Sequence, residues 1–558
     1  MKKIAVTFAM LMGLSFAAIS QTAYISPELL NADPNSTVNV IVQFGQNNSV
    51  VPSMKFAAIP GTNLRRGLGK IHSAAYSTTA GNVRAMASNP NVVSIVPDRP
   101  VHMLLDNTAG AVNASAAWRW GLDGSGIGIA VIDSGISAHD DLQGANGSRI
   151  VYSENFVGTD ATDSFGHGEH VSGILAGNGA DSWCWYCSRH FVGMAPNANL
   201  IDLRVLDENG TGTDSAVIAA IQQAIQLQAQ YNIRVINLSL GRPVYESYQF
   251  DPLCQAVEAA WQAGIVVVVA AGNDGRNNSA NNNGYGTIGS PANDPYVITV
   301  GAMKAMGTPD RADDLIASYS SKGPTVIDHI VKPDLLAPGN LVVSLLSPGS
   351  TLQSLYPQDA VSLTYYQYTD QSQASNSYFS LSGTSMAAPV VSGAAALLLQ
   401  LNPYLTPDQV KAKLMLTAYK QFPQTSTAYD PTTGQTYTSE YDIFTVGAGY
   451  LDIQAALADT TPFWGTALSP TATLAPGSDP STQVALVQCN AATVCAGQLW
   501  GQGQIWSLQS VWGTQVIASD QSIWGDQSIW GDQSIWGDQS IWGDTALGLS
   551  ILSNGEPK

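Results

Sequence analysis

Charged residues are scarce in this chain, and cations are scarcer than anions. Only 12% of the 558 residues are charged, and 23 Lys and Arg stand against 42 Asp and Glu, giving a formal net charge of -19. A surface that binds nucleic acid or an anionic membrane needs clustered cations. The composition therefore argues against both kinds of partner. Hydrophobic residues make up 45% of the chain, which is enough for a globular core of several domains.

The chain also lacks apolar stretches long enough to span a bilayer, which takes about 20 residues. Residues 1–3 (MKK) are basic, and the mostly apolar stretch 4–16 is too short for a membrane span. Residues 18–20 (AIS) have the small-x-small form of a cleavage site. We therefore predict a secretory signal peptide over residues 1–20 and a soluble, exported mature protein.

Cysteine is infrequent, with five residues in the whole chain. Cys184 and Cys187 enclose two residues, and Cys489 and Cys495 are separated by five, so two local disulfides are the simplest pairing. Cys254 is left over. The first pair is also compatible with a redox-active site or half of a metal site, but no second CxxC follows. A structural disulfide is the favoured interpretation.

From residue 118 onward, short and mostly branched apolar runs alternate with helical stretches. Such runs are typical of parallel strands buried on both faces, and the alternation predicts a doubly wound α/β sheet. In this fold class the ligand site lies at the carboxyl ends of the strands. The predicted strands cover residues 127–132, 200–206, 235–240, 265–271 and 297–302, with predicted helices over 215–229 and 254–263.

A smaller α/β unit is predicted ahead of this sheet. Residues 38–44 and 92–96 read as strands, and residues 71–87 read as a helix. A polar segment at 106–108 follows. The pattern predicts a separate N-terminal domain over residues 21–105.

Ser385 is the first candidate for chemistry. It lies in the small-residue stretch 383–389 (GTSMAAP), just before the apolar run 394–399. A serine at the start of a buried helix lies beside backbone N–H groups without helical partners, which can receive a developing oxyanion. The alternative is a helix start that merely packs tightly.

Three predicted strand or helix ends carry further polar side chains. Asp133 ends a buried strand at a Gly turn, His167 stands between two glycines before an apolar helix, and Asn273 follows a core strand. Each has a structural alternative, namely a capping Asp, a surface His and a turn Asn. Their combination with Ser385 is less easily explained by four separate structural roles.

The segments VIDSGI, GHGEHVSG, AAGND and GTSMAAP resemble the signature regions of the subtilisin-like serine peptidases over about residues 115–460. The order Asp133, His167, Ser385 is that of the subtilisin triad. The resemblance implies a three-layer, mostly parallel α/β fold and a serine endopeptidase that needs no cofactor for its chemistry. Asn273 would be the oxyanion donor. The competing hypothesis is a non-catalytic binding protein on a peptidase scaffold.

The resemblance also implies where a peptide substrate binds. An extended peptide would pair with two backbone edges, and its side chain would enter a pocket without charge. We expect an apolar or permissive preference there. The implied edges are Ser239-Leu240-Gly241 and Gly210-Thr211-Gly212, and the implied pocket residues are Ala271, Gly272 and Gly289.

Two features depart from the family pattern. Glu169 stands where a Thr is usual, and it could either raise the pKa of His167 or pair with another group. The segment 178–191 carries Cys184 and Cys187 near a loop that often holds calcium in this family, with Asp141 as the implied ligand. A structural calcium ion and a disulfide are the alternatives there.

The resemblance turns the N-terminal unit into an inhibitory propeptide, so the enzyme's own propeptide is an expected partner besides protein and peptide substrates. Beyond the predicted catalytic domain (106–460), residues 461–495 read as a linker. Within the predicted tail (496–558), Trp recurs every six residues from 500 to 542 except at position 518, which is Ala, and the last four hexads are copies of DQSIWG. A Trp row is compatible with polysaccharide or a cell-surface partner, and equally with a self-packing, removable appendage.

Overall fold

The computed structural model describes residues 23–97 apart from 27, 28, 31, 46–55, 57, 58 and 69–71, residues 107–474 apart from 280, 281, 371, 432 and 464, and residues 484–487 and 551–557. The chain divides into two compact units, Met1–His102 and Met103–Lys558. The predicted signal peptide, all the Trp hexads, Cys489 and Cys495 lie outside the described residues.

The first unit contains a five-stranded sheet in the order β1-β5-β2-β4-β3. Its core includes Val40, Tyr76, Met86 and Ile95, all at most 2% exposed. Its elements are β1 (Tyr24–Ile25), β2 (Thr37–Phe44), β3 (Asn63–Leu68), β4 (Ser73–Thr79), α1 (Val83–Ala87) and β5 (Val92–Pro97).

The helix predicted over residues 71–87 is wrong in its first half. That half contains the strand β4, which pairs antiparallel with both β2 and β3, and helical structure follows in the 3-10 helix Ala80–Asn82 and in α1. The sequence of β4, SAAYSTT, contains Tyr and Thr, which fit a half-buried pleated surface better than a helix. Pairing on both sides decides the conformation here.

The second unit has its strands and helices in alternation over much of its length. The strands are β6 (Gly128–Asp133), β7 (Gln143–Gly144), β8 (Gly147–Ser148), β9 (Ile150–Asn155), β10 (Asn199–Arg204), β11 (Ile233–Leu238), β12 (Val266–Ala270), β13 (Ile298–Lys304), β14 (Leu315–Ile316), β15 (Leu335–Pro338), β16 (Val342–Leu345), β17 (Ala360–Ser362), β18 (Ala374–Leu381), β19 (Thr425–Asp430), β20 (Gln435–Glu440), β21 (Thr471–Leu474) and β22 (Val484–Val487). The helices are α2 (Thr108–Ala111), α3 (Ala114–Arg119), α4 (His167–Ala176), α5 (Asp214–Tyr231), α6 (Pro252–Gln262), α7 (Thr351–Leu355), α8 (Leu363–Tyr366), α9 (Thr384–Leu401), α10 (Pro407–Thr417), α11 (Ile443–Val446) and α12 (Ile453–Ala458).

The central sheet has the strand order β14-β13-β12-β11-β6-β10-β9, with β15 also paired to β13. All its pairings are parallel except that of β14. Strands β6, β12 and β13 are buried at every position, as their unbroken apolar runs predict for a sheet covered on both faces. The predicted doubly wound α/β fold is confirmed.

Helix α9 lies in the core of this unit and packs against α4 and strands β11 to β13. It is long and apolar enough to cross a membrane, but 89% of its apolar window is buried within the protein. A helix that is apolar on all sides and covered by protein is a core helix. Its N-terminus therefore starts at the edge where the parallel strands end, and it carries Ser385 there.

The predicted C-terminal boundary of the catalytic domain at residue 460 needs correction. Phe463, Ala467 and Leu468 of the predicted linker are buried in the second unit. Much later in the chain, Ile551 and Leu552 join the same hydrophobic core. The end of the predicted tail (496–558) thus belongs to the second unit, because the side chains of Ile551 and Leu552 are buried in its core.

Candidate active site

Asp133 and His167 meet where the central strand of the sheet ends. Asp133 is the last residue of β6, and His167 is the first residue of α4. Asp133 Oδ1 lies 2.7 Å from His167 Nδ1 and also accepts the N–H of Ser134 at 2.8 Å. Because Nδ1 is engaged by the carboxylate, Nε2 is the nitrogen left for proton transfer.

The environment of His167 favours its protonated form. Burial disfavours the charged ring, but the carboxylate of Asp133, with a smaller effect from Asp163, outweighs it and raises the pKa of His167 above its usual range. A histidine that binds protons more readily is a stronger base. The pair has the geometry required of a general base and the residue that orients it.

Ser385 lies in the first turn of α9, at a helix start held by polar contacts. Its carbonyl accepts the hydroxyl of Ser239 at 2.8 Å, and its own Oγ donates to the Ser239 carbonyl at 3.1 Å. Both residues are described, and no hydrogen bond joins Ser385 Oγ to His167. Catalytic hydrogen bonds are often loose without substrate. The hydroxyl therefore rests on the strand end that the sequence predicts as a substrate edge.

Asn273 is oriented by the residue that precedes Ser385. Its Oδ1 accepts the N–H of Thr384 at 2.9 Å and the hydroxyl of Thr384 at 3.2 Å, so Nδ2 remains as a donor on the other side. Gly383 has φ +150, and a Cβ added there would lie 3.2 Å from Asn273 Nδ2. A side chain at position 383 would therefore crowd the amide that the sequence predicts as the oxyanion donor.

The predicted pocket residues lie beside this amide. Ala271 accepts the N–H of Gly289 through its carbonyl at 3.2 Å, and the N–H of Gly272 donates to the hydroxyl of Thr384 at 3.1 Å. Gly289 has close backbone neighbours, since an added Cβ would lie 2.9 Å from the Arg242 carbonyl. These glycines thus make room for backbone.

The two predicted substrate edges differ in how many of their backbone groups already form hydrogen bonds within the protein. Ser239, Leu240 and Gly241 directly follow β11 and are buried. In the other edge, the N–H groups of Gly210 and Thr211 and the Thr211 carbonyl all bond to Asp207. Those groups of the 210–212 segment are therefore not available to a substrate strand.

The comparisons with known proteins agree with this geometry. The model of the subtilase family of peptidases matches residues 124–447. Serine protease AprX of Bacillus subtilis (strain 168) is 39% identical over 363 residues, covering 63% of this chain and 75% of AprX. Subtilisin DY of Bacillus licheniformis is 34% identical over 346 residues, covering 62% of this chain and 96% of that protein. Subtilisin E of Bacillus subtilis (strain 168) is 32% identical over 385 residues, covering 68% and 84% respectively.

The chain belongs to the subtilase family. As a subtilase it is a serine endopeptidase that acts on protein substrates, and the chemistry of this family needs no cofactor. The resemblance seen in the sequence is thereby confirmed at the level of family, fold class and enzyme class.

Glu169 of this subtilase does not pair with His167. Its Oε2 accepts the N–H of Ser137 at 2.7 Å, in the loop that follows Asp133. Burial, with a smaller effect from neighbouring carboxylates, raises the pKa of Glu169 well above its usual range and so favours the neutral acid. Of the two readings left open by the sequence, the structure favours pairing with another group.

Asp163 is a buried acid that the sequence analysis missed. It accepts hydrogen bonds from the N–H groups of Phe165, Gly166 and Glu169 and from the hydroxyl of Ser134. The three N–H donors lie at or just before the start of α4, so the carboxylate fixes the helix that carries the histidine, and the Ser134 hydroxyl ties it to the end of β6. An Asp shortly before a helix start is a recognisable capping signal.

The predicted cation ligand Asp141 is engaged by the protein itself. Its Oδ1 accepts the N–H of Asp181 at 2.8 Å, and its Oδ2 accepts the hydroxyl of Tyr378 at 2.9 Å. Ligand atoms of His139, Asp141 and Asp181 do lie within 4.8 Å of one another. However, His139 Nδ1 accepts the N–H of Asp141 at 3.1 Å, and Arg149 donates to the Asp141 carbonyl at 2.6 Å.

This arrangement does not fit calcium. Calcium takes six to eight oxygen ligands, whereas the cluster offers two carboxylates that already accept hydrogen bonds from protein groups. Nearby, Cys184 and Cys187 form the predicted disulfide, and Cys254 is free and buried. The described residues thus fix this loop with hydrogen bonds and a disulfide.

One cavity of the second unit lies away from this site. It has a volume of about 380 Å³ and lies at the far end of α9, where it is lined by residues such as Leu398, Leu401 and Phe463. None of the predicted catalytic or substrate-binding residues line it. A cleft that reads peptide backbone is an open groove, so its shape rather than its volume matters for this enzyme class.

Proposed function

We propose that this subtilase hydrolyses peptide bonds through an acyl-enzyme formed on Ser385, with His167 as general base and Asp133 as its orienting partner. The observation that carries the proposal is the buried hydrogen bond of 2.7 Å between Asp133 Oδ1 and His167 Nδ1 at the sheet edge where α9 begins. A serine hydroxyl is a weak nucleophile at neutral pH and requires such a base.

In the first step, His167 Nε2 takes the proton of Ser385 as Oγ attacks the carbonyl carbon of the scissile bond. Asp133 holds Nδ1–H in place and stabilises the imidazolium that forms. The ring then returns the proton to the leaving amine, and a water molecule repeats the sequence to release the acid. Since Oγ rests on the Ser239 carbonyl, it must turn away from that acceptor before attack.

The tetrahedral oxyanion is stabilised by Asn273 Nδ2 and by the N–H of Ser385. The amide is preset because Thr384 occupies its oxygen at 2.9 Å. The N–H of Ser385 belongs to the first turn of α9, where backbone donors have no partner within the helix. Donors fixed before the reaction act most strongly on charge that develops during it.

The substrate is an extended peptide that pairs with residues 239–241 on one side and, on the other, with those backbone groups of 210–212 that do not bond to Asp207. Its specificity pocket is formed around Ala271, Gly272 and Gly289, none of which carries a charged side chain. Ala271 is fully buried. This supports a preference for apolar or small side chains before the scissile bond.

The enzyme is made as an exported proenzyme. The basic start and apolar stretch of residues 1–20 support export, and the Cys184–Cys187 disulfide is compatible with an oxidising compartment. The N-terminal unit has its own sheet and core, as an inhibitory propeptide that folds separately would. Cleavage by the enzyme itself between the two units yields the mature form.

The deciding experiment compares the wild type with Ser385→Ala on casein, with and without a fluorophosphonate. We expect inhibitor-sensitive cleavage and a label on Ser385 in the wild type only, with both proteins melting at similar temperatures. The variant should also keep the N-terminal unit attached, as intact mass will report. A wild type that sheds the N-terminal unit and still shows neither cleavage nor label would favour the non-catalytic binding protein, with the Trp hexads as its working part.

A further inference from the structure

The last described residues of the chain form a buried anchor, which we define as residues 551–556. Ile551 and Leu552 are 3% and 8% exposed, and Glu556 is fully buried. The sequence predicts the end of a tail here, yet an ionised side chain is rarely buried unless it is paired. The contacts of Glu556 therefore say what the anchor does.

Glu556 pairs with two buried cations of the second unit. Its Oε1 lies 3.0 Å from Arg276 Nη2, and its Oε2 lies 2.9 Å from Lys304 Nζ. Oε1 also accepts the N–H of Ser318 at 2.7 Å and the hydroxyl of the same residue. Burial opposes ionisation, but Lys304, Ser318 and Arg276 outweigh it and lower the pKa of Glu556 below its usual range.

One of these cations belongs to the loop of the predicted oxyanion donor. Arg276 follows Asn273 by three residues, and its Nε donates to the hydroxyl of Ser318 at 2.8 Å. Gly275, in the same loop, donates to the Tyr319 carbonyl at 2.8 Å. Asp430 is the second anion on Arg276, at 3.1 Å. Glu556 thus fixes the guanidinium at the end of the Asn273 loop.

The backbone of the anchor holds the other half of the oxyanion hole. The Leu552 carbonyl accepts the N–H of Ser382 at 2.8 Å, three residues before Ser385. Asn340 clamps Glu556 from both sides: its Oδ1 accepts the N–H of Glu556 at 2.8 Å, and its Nδ2 donates to the Glu556 carbonyl at 2.8 Å. The neighbouring carbonyl of Gly339 accepts the N–H of Gly383 at 2.7 Å.

Gly555 of the anchor packs closely against Ser382, three residues before Ser385. Gly555 has φ +55, and a Cβ there would lie 2.2 Å from the Ser382 hydroxyl and 2.8 Å from Asn340 Oδ1. The Ser382 hydroxyl also accepts the N–H of Leu341 at 2.8 Å, so it is held in place from a second side. A displacement of the anchor is therefore transmitted to residue 382.

We propose that Glu556 is a positioning residue for the oxyanion hole. The anchor links the loop 273–276, which carries Asn273, to residues 382–383, which precede Ser385. The inference rests on the proposed function of Asn273 and Ser385. It adds that residues 551–556 are needed for catalysis and that, along the sequence, the Trp hexads stand between two segments that pack on the second unit. Removal of everything after about residue 465 would then remove a part of the active-site support.

The test uses the full-length chain with Glu556→Gln, and Pro557→Ala as the matched control at the neighbouring exposed position. Glutamine keeps an oxygen for Arg276 and Ser318 but turns an NH2 toward Lys304, so the pairing is disturbed at constant volume. Active sites are titrated with a fluorophosphonate, so that only folded and matured enzyme is counted. Measured are kcat and KM for a peptide ester and the inhibition constant of a peptide aldehyde, whose hemiacetal oxygen occupies the oxyanion position.

For Glu556→Gln we expect kcat to fall by about ten- to a hundredfold, below the loss from removing an oxyanion donor outright. KM should stay within about twofold, since substrate pairing is untouched, while aldehyde affinity falls by a factor similar to kcat. Pro557→Ala should match the wild type. A purely stabilising role would lower the melting temperature and leave kcat per titrated site and aldehyde affinity unchanged.

A second measurement is needed in case the remaining contacts of the anchor compensate for the single substitution and kcat stays unchanged. The chain ending at Ser550 is prepared, and a synthetic peptide of residues 551–558 is added at increasing concentration. The anchor role requires that the wild-type peptide restores kcat and that the Glu556→Gln peptide restores less. Full activity of the truncated chain without peptide would refute the inference. An inactive wild type would refute the proposed function. An active wild type together with a fully active truncated chain would refute only the role of the anchor.

Discussion

Replacing Glu169 by glutamine tests whether this acid acts on His167 or only on the fold. Residues two apart on a helix do not face each other, so Glu169 points away from the ring of His167. Its Oε2 instead accepts the N–H of Ser137 at 2.7 Å. Burial favours the neutral form of the acid, and glutamine resembles that form in shape and keeps an oxygen for the same N–H. We expect wild-type activity and a wild-type acidic limb in the pH profile of kcat/KM.

The matched variant Glu169→Ala gives the magnitude. It leaves the Ser137 N–H without its acceptor, which costs about 1–3 kcal/mol for a buried donor. The deleted methylene and carboxyl groups add a cavity term in a fully buried position. Alanine should therefore lower the free energy of unfolding clearly, whereas glutamine should change it little below about pH 4.5, where the acid is neutral in the folded and the unfolded state alike.

The sign of the pH dependence follows from the direction of the pKa shift. The pKa of Glu169 is raised in the folded state above its usual 4.5 by burial, so its stabilising contribution is complete below the unfolded pKa. That contribution is lost as pH rises through the raised pKa, by at most about 1.4 kcal/mol per pH unit. Glutamine does not titrate, so its melting temperature should exceed that of the wild type increasingly as pH rises above about 4.5.

The assays are thermal melts and kcat/KM profiles for a peptide ester between pH 5 and pH 9, run on titrated wild type and Glu169→Gln. A shift of the acidic limb by about one pH unit in the variant would mean a coupling of about 1.4 kcal/mol between Glu169 and His167. Such a shift would contradict the reading of Glu169 as a structural acid.

Four further predictions follow from the site. Asp133→Asn should lower kcat by about ten-thousandfold with little change in KM, because the imidazole loses its orienting partner; an effect below about tenfold in steady-state kinetics would contradict that role. Asn273→Ala should lower kcat by about a hundred- to a thousandfold, and an unchanged kcat would remove it from the oxyanion hole. The acidic limb of the wild-type kcat/KM profile should lie above pH 6.5, because Asp133 raises the pKa of His167. Activity is lost as pH falls because a protonated Nε2 cannot accept the serine proton. A limb below pH 6.5 would contradict the raised pKa. A chelator should lower the melting temperature no more in the wild type than in Asp141→Asn, and a larger drop in the wild type would indicate a cation at Asp141.

The sequence analysis was strongest where local pattern and topology agree. The runs ending at Asp133 and Ala271 could be recognised as buried parallel strands because both faces of such a strand are apolar. It failed at residues 73–79, where a helix was expected, because pairing on both sides outweighs local propensity. The disulfide of Cys184 and Cys187 was predictable because both residues lie in one short loop.

The sequence by itself determined the family, the order of the elements and the positions of Asp133, His167, Ser385 and Asn273, because these lie in short segments whose residues are neighbours in the chain. Only the tertiary structure decided which groups meet across long separations. Glu556 reaches Arg276 across 280 positions of the chain. No periodicity or spacing marks such a contact, since it depends on where the core has room for the chain end and on which buried cations need an anion.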